Sequence, residues 1–463
     1  MDVLLTQTGT VSPEPRLHYH QHAFEVPEGT QRLKVTLAFR KDRLCQLFLS
    51  VFDPDGYRGT RMKPGADGDV VLELDLSETR ASEGGLPGPL PGGTWRAQID
   101  IERTEEVTAY TLTVEVSREP QTDAPQADVP RPRPAPQNGR AGEGYYRGEL
   151  HAHSHHSDGS SPVAAVVAAA RQYGLDFLSL TDHFTSAGWA ELDALAGPDL
   201  AVIKSLELTG HAGHANLQGL SSWVDTFADP CNSGGRTIND VAGDTHAQGG
   251  LFCVNHPFSL TLGWRYHDFD WAQCDLLEIY HHLTGSNNSA QVGLWDSLLA
   301  RGFKITGVGA TDSHHPTTGQ HRLGQVFTYV YAAELSPAGI IEGLKRGRAY
   351  VSLGPTLEFS AEAAGETAYM GETLSAAGPV TLRVQLGELE FPSRLLVMKN
   401  GLHHAYADLP ASGSQPVELS FVDERPGPGY YRLELYARAL QPSFEAGRDW
   451  DRTLLLSNPV YLT

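Results

Sequence analysis

Apolar and polar residues alternate with a period of two through the first quarter of the chain, in RLKVTLAF from Arg32, LFLSVFDPDG from Leu47, WRAQIDIE from Trp95 and AYTLTVEV from Ala109. A period of two sends successive side chains to opposite faces, so these segments predict half-buried strands, with Asp-Pro-Asp-Gly and Pro-Gly-Gly as turns. A β-sandwich over residues 1–118 follows. From Glu119 the pattern stops: EPQTDAPQADVPRPRPAPQNGRAGEG holds six prolines and almost no large apolar residue. Residues 119–144 therefore read as an extended linker, which makes the first sandwich an appendage that the rest of the chain does not need. After Gly354 the alternation returns in VTLRVQL, in RLLVMKNGLHHAYA with Asn-Gly as a two-residue turn, in VELSFV and in YYRLELYAR. These predict a second β-sandwich over residues 355–463.

The stretch from 145 to 354 has another character. Short apolar runs (RGELHAH, LDFLSLTDH, AVIKSLEL, LFCVNHP, LLEIYHH, ITGVGATDSH) read as strands and alternate with helical patterns. In the first helix Ser161 caps, Pro162 takes the first position and Val163, Val166, Val167 and Ala170 form the apolar stripe up to Gly174. A second starts at Thr237 with Asp240 three residues on. A third carries Leu294, Trp295, Leu298 and Leu299 before Gly302. Such alternation predicts β/α units around a parallel sheet. No repeat of solenoid or propeller period occurs.

At 463 residues with 40% hydrophobic content, the chain has enough apolar residues for two or three cores. It holds no apolar run of membrane-spanning length, and MDVLLTQTGT lacks the features of a secretory signal. Four cysteines without CxxC spacing fit a reducing compartment, so a cytoplasmic location is expected, with the cysteines as small core residues. A formal charge of −21 argues against duplex nucleic acid and anionic membranes as partners. It does not exclude a small anionic substrate, because bound metal ions make a local positive site.

Fifteen of the twenty histidines lie between His151 and His321. His151 and His153 end the first predicted strand of this region, His183 the second and Glu207 the third. His214 lies just beyond, His256 ends another strand, and Asp312 and His314 end the last. Residues i and i+2 share a strand face, so each such pair presents two ligands together, and Asp158 can return from the loop HSHHSDGSS. Imidazoles mixed with carboxylates suit zinc, manganese or iron. Nine ligands are too many for one tetrahedral site, so two or three ions sharing a carboxylate are expected. His211, three residues before His214, is an alternative ligand. His155, His156 and His315 are loop residues or partners of the ligands. His281 and His282 follow LLEIY and are candidates for substrate contact or leaving-group protonation. Arg322 is a candidate for binding an anionic group, with a surface ion pair as the alternative. Lys204 should face away from Glu207. His18, His20 and His22 should be solvated, and Thr245 and His246 should lie on a helix surface.

HAHSHHSDG, LTDH, a strand-end Glu, NHP and TDSHH resemble the ordered motifs of the PHP (polymerase and histidinol phosphatase) superfamily. YYRGELHAH, GHANLQG, NHPF, GRAYVS and SNPVY resemble its CehA/McbA-like metallohydrolase branch. The resemblance spans roughly residues 145–355 and continues weakly through the C-terminal part. It implies a distorted (β/α)7 TIM-like barrel between the two sandwiches, two or three divalent ions, and hydrolysis of phosphoesters or related esters. By motif match the ligands are His151, His153, Asp158, His183, Glu207, His214, His256, Asp312 and His314, with Glu207 as the bridge. The expected activity is that of a phosphoesterase on a small phosphomonoester or phosphodiester. The rivals are a carboxylic or carbamic ester hydrolase on the same metals, an exonuclease, and a non-catalytic ligand- or glycan-binding protein.

Overall fold

The computed structural model describes residues 1–463 except 14–17, 43–44, 63–66, 120–140, 229–234, 282–286, 320 and 439–452. The alternating segments of the first part form two four-stranded antiparallel sheets. In one, Arg32–Lys41 pairs with both Thr108–Ser117 and Gly68–Ser77; in the other, Gly93–Arg103 lies between Tyr19–Val26 and Gln46–Asp53. Alternate positions Leu33, Val35, Leu37 and Phe39 meet Leu49, Val51, Trp95 and Ile99 in one core, as the period of two requires.

In the middle part, Ala141–Glu149, Phe177–Leu180 and Ala201–Lys204 are parallel neighbours. Leu206–Gly210, Gly213–Gln218, Leu251–Val254, Leu276–His281 and Thr306–Ala310 form a five-stranded sheet. Parallel bridges at His183–Glu207 and Ala152–Ser313 join the two sheets at both seams. The expected single strand AVIKSLEL is broken at Ser205, whose hydroxyl turns inward to Gln218 Oε1 at 2.9 Å. His214, just beyond the strand that carries Glu207, lies on the antiparallel strand Gly213–Gln218. That strand begins at a φ of +131°, where a Cβ would press on the Trp264 backbone at 2.9 Å, so glycine is required at 213. The helix after Thr237 has the expected reciprocal cap: Asp240 N donates to Thr237 Oγ1, and Thr237 N to Asp240 Oδ2. The first helix spans Val163–Gln172 with Pro162 at its cap position, and no side chain caps it.

Two features of the architecture differ from the sequence expectation. The sheet that begins with Ala141–Glu149 continues past residue 354: Ala349–Ser352 pairs with Thr453–Ser457, and Gly429–Ala437, Ser393–Lys399 and Leu402–Leu409 follow. One sheet of the C-terminal part is therefore an extension of the middle part, and Asn458 bonds to the backbone of Gly307 and Ala349 across it. The first sandwich also packs directly on the middle part. Phe48 meets Phe184 edge-on at 5.1 Å, Tyr57 stacks on Trp223 at 4.1 Å, and Phe52 packs on Phe227. Arg61 donates to the His155 carbonyl at 2.9 Å and Thr185 to that of Gly84 at 2.9 Å. An appendage would not bury these aromatics. Most of the Pro-rich segment 119–144 lies outside the described residues. Among the described residues no helix is long and apolar enough to cross a membrane.

Candidate metal centre

The strand ends bring all nine expected ligands together. Glu207 Oε2 lies 3.1 Å from His151 Nε2, 3.4 Å from His153 Nε2 and 3.0 Å from His183 Nδ1. Its other oxygen, Oε1, lies 3.1 Å from His214 Nδ1 and 3.7 Å from His256 Nε2. Asp312 Oδ1 is 3.3 Å from His151 Nε2 and 3.0 Å from His153 Nε2. Asp158 reaches His183 Nε2 at 3.4 Å and His314 Nε2 at 2.9 Å. Glu207 thus sits between two groups of imidazoles, one on each oxygen.

The donor set fits divalent transition ions. Ligand atoms about 2.0–2.2 Å from a common ion lie roughly 3.0–3.6 Å apart, close to the separations here. Moreover His151 Nε2, His153 Nδ1, Glu207 Oε2, His214 Nε2 and His256 Nδ1 are buried without a hydrogen-bond partner. Orphaned buried donors and acceptors on this scale are costly unless another group takes them up. His151, His153, Glu207 and Asp312 form one cluster, His153, Asp158, His183 and His314 a second, and Glu207, His214 and His256 a third.

Charge is balanced within the cluster by opposing pulls. Burial disfavours a charged His151, yet Glu207, Asp312 and Glu278 outweigh it and hold the imidazole well above its usual pKa. Burial also opposes ionised Glu207, but His151 and His183 keep it well below the usual carboxylate range. Bound cations would replace the protons that these imidazoles otherwise carry.

Behind the candidate ligands stands a layer of residues that the sequence reading did not single out. Glu278 Oε1 lies 2.7 Å from His151 Nδ1, and its Oε2 accepts from His256 N at 2.8 Å. Asn255 Nδ2 donates to Glu207 Oε1 at 3.0 Å. Asp182 accepts from Ser154 N and Ser157 Oγ, both at 2.7 Å, which folds the loop that carries Asp158. Glu149 accepts from His151 N and Thr311 N and so ties the first strand to the last beneath the cluster; burial pushes its pKa up to about 7. Each is a polar residue beside or within an apolar run, in GELH, LTDH, VNHP or LLEIY, and that was the available signal. Phe184, His256 and Asp312 hold φ of +59°, +26° and +52°, sparsely populated values for non-glycine residues that redirect the chain at the site.

Other candidates fall differently. His211 is outside the cluster: it stacks on His18 at 3.2 Å, and burial followed by His18 pushes its pKa down to about 3. His18 is accordingly buried rather than solvated, while His22 lies 3.1 Å from the Tyr110 hydroxyl. His156 accepts from Gly84 N and faces Glu191, and His155 faces Glu83, so both serve the contact with the first sandwich or its surroundings. His315 is exposed. His281 Nε2 lies 3.4 Å from Asp312 Oδ2, beside the cluster, whereas His282 lies outside the described residues. Arg322 is placed over the Tyr173 ring at 5.8 Å and does not line the cavity above the cluster. Lys204 points away from Glu207, to Asp193 at 3.2 Å. Thr245 is buried, not on the helix surface, and its hydroxyl donates to Val241 O; His246 faces Asp275. Cys45, Cys253 and Cys274 are buried and free, and Cys231 lies outside the described residues.

The cavity over the cluster measures about 290 Å³. One wall comes from the first sandwich, through Lys41, Gln46, Met62, Glu102 and Arg103. Glu102 Oε1 lies 3.4 Å from His214 Nε2. Nothing in the sequence marked Glu102, because an outward position of a sandwich strand carries no sign of what it faces.

No family model matches the sequence, and no curated protein matches it. Among solved structures, a two-domain protein from Bacteroides vulgatus containing a predicted PHP-like metal-dependent phosphoesterase is similar at 18% identity, over 71% of this chain and 99% of that one, with a TM-score of 0.39. A protein from Bifidobacterium adolescentis, described as a possible metal-dependent phosphoesterase, is similar at 16% identity over 38% of this chain and 89% of its own, with a TM-score of 0.28. An amidohydrolase from Chromobacterium violaceum is similar at 15% identity over 37% of this chain and 88% of its own, with a TM-score of 0.27.

Proposed function

We propose that this protein is a metal-dependent hydrolase of small anionic phosphoesters, built on a distorted (β/α)7 barrel of the PHP type, CehA/McbA-like branch. One observation carries the reading: the two oxygens of Glu207 face separate groups of buried imidazoles, several with unbonded ring nitrogens. His151, His153, Asp158, His183, Glu207, His214, His256, Asp312 and His314 would hold two or three zinc, manganese or iron ions. When bound, such ions supply Lewis acidity and make water a nucleophile at neutral pH. The chain's own residues do the rest. Glu278 and Asn255 fix the imidazole of His151 and the carboxylate of Glu207, so the ligand geometry is set before substrate arrives. His281, whose Nε2 lies 3.4 Å from Asp312 Oδ2, would be the group that gives a proton to the leaving oxygen. The cavity of about 290 Å³ suits a small molecule.

The test couples elemental analysis to assays with nitrophenyl phosphate, a bis-nitrophenyl phosphodiester and nitrophenyl acetate. More than one transition-metal equivalent per chain and a phosphoester as the best substrate are expected. One equivalent or less after reconstitution, or acetate as the best substrate, overturns the reading.

A further inference from the structure

Beyond the ligand cluster the cavity continues. A second pocket of about 270 Å³ shares Glu102, Arg103, Thr261 and Leu262 with the first and extends to His211 and Arg265. Arg103, the last residue of strand Gly93–Arg103, stands where the two meet. The joined space is lined by three cations: Lys41 and Arg103 from the first sandwich, and Arg265 from the loop after His256.

Among the described residues none of the three has a carboxylate partner. Lys41 Nζ donates to the neutral Gln46 Oε1 at 3.0 Å, and Arg265 donates to the backbone carbonyl of His211. Arg103 pairs with Gln46 through the strand backbone, and its side chain makes no hydrogen bond or ion pair among the described residues. Four other cations of the same sandwich are matched: Arg32 with Asp75, Lys34 with Glu73, Arg58 with Asp53 and Arg61 with Glu83. The chain has 56 acidic residues against 35 Lys and Arg, so unneutralised cations gathered at one cavity are not a by-product of a basic surface. The carboxylate of this wall, Glu102, is directed at His214 instead. Guanidinium groups match the planar or tetrahedral oxyanions of carboxylate and phosphate with paired hydrogen bonds.

We propose that Lys41, Arg103 and Arg265 form an oxyanion-binding subsite beside the hydrolytic centre, and that the substrate carries a second anionic group, carboxylate or phosphate, away from the bond that is cleaved. The identity of the cleaved group rests on the phosphoesterase reading; the subsite does not. The substrate is then a small molecule with two negative ends, one over the metal ligands and one between the first sandwich and the loop 257–265.

The subsite is tested on the full-length, metal-loaded protein by calorimetric binding of phenylphosphonate, 4-phosphonobenzoate and benzene-1,4-diphosphonate. In parallel, KM is measured for aryl phosphates bearing a para nitro, carboxylate or phosphate group. The second anion is expected to tighten binding and lower KM by about tenfold or more, the size of one charge-assisted hydrogen bond. Arg103→Met and Arg265→Met, on separate elements, should each shrink that advantage to about twofold or less, while near-ultraviolet dichroism checks that the fold is kept. A gain for only the carboxylate or only the phosphate probe supports the subsite and names its preferred anion. Equal binding of all three phosphonates, or an advantage that survives in both variants, overturns it. Absence of phosphoester hydrolysis alongside Arg103-dependent binding would overturn the phosphoesterase reading and leave the subsite standing.

Discussion

At the scale of the residue, Glu207 is the centre of the site, because its two oxygens face different imidazoles while Asn255 fixes its orientation. Glu207→Gln removes one anionic oxygen and introduces an amide that cannot bridge cations, so metal content should fall along with activity. Lys204→Ala, which loses the ion pair with Asp193 and a contact with the Trp189 ring on the other side of the chain, should leave metal content unchanged and cost about 1 kcal/mol or less. Elemental analysis of the two variants side by side is the check, and full metal retention by both would place Glu207 outside the binding set. The gathering of the nine candidate ligands was legible in the sequence because metal chemistry admits few residue types and strand ends converge. Arg322 shows the limit of that logic. It has the right charge and lies near the motif TDSHH, but its guanidinium is spent over Tyr173, and no sequence pattern distinguishes it from Arg103, which faces the cavity.

At the scale of the element, local patterns predicted strands and turns better than they predicted partners. The Asn-Gly turn is present, with φ of +52° and +77° at Asn400 and Gly401, because that turn depends only on its own two residues. The break at Ser205 and the antiparallel strand Gly213–Gln218 depend on distant groups, Gln218 and Trp264, and carried no local signal. Two buried charges let element pairing be tested. Arg432 on strand Gly429–Ala437 lies fully buried between Asp296 at 2.6 Å and Glu434 at 2.5 Å. Arg432→Met strands both carboxylates and should destabilise by about 3–5 kcal/mol in denaturant unfolding, with Asp296→Asn partly rescuing it. Asp100, in the first sandwich, has its pKa pushed from 3.8 up to about 8 by burial, against hydrogen bonds from Ser50 and Gln98. A raised folded pKa means that the folded state binds the extra proton. Its contribution is therefore whole below pH 3.8 and is lost as pH rises through about 8. Between those limits stability should fall with a slope approaching about 1.4 kcal/mol per pH unit for this one group. Asp100→Asn should flatten the decline measured at pH 5, 7 and 9 relative to the native chain, and an unchanged decline would show that Asp100 is ionised in the fold.

At the scale of the whole molecule, the first sandwich and the middle part enclose one cavity between them. The sequence argued the opposite, because a Pro-rich linker is the usual sign of independent units and the contact surface is made of residues that alternate outward. Phe48, Phe52 and Met62 point away from the sandwich core and bury against Phe184 and Phe227, a small separate cluster that only the assembled molecule forms. Burying each such side chain stabilises by about 1.5–3 kcal/mol, so the cluster is enough to fix the contact. Glu102, Lys41 and Arg103 reach the cavity only because of it. A fragment of residues 141–463 would expose Phe184, Trp223 and Phe227 and leave His214 without Glu102. It should therefore be less soluble than the full chain and retain less metal after dialysis against a weak chelator. The full-length Tyr57→Ser variant separates the two effects, because it loosens the stack on Trp223 without removing the wall. It should lower thermal stability by roughly 1–3 kcal/mol and keep most of the metal. A fragment that is soluble, folded and fully metal-loaded would show that the first sandwich contributes to neither stability nor the metal centre, and its cations would then act on substrate alone.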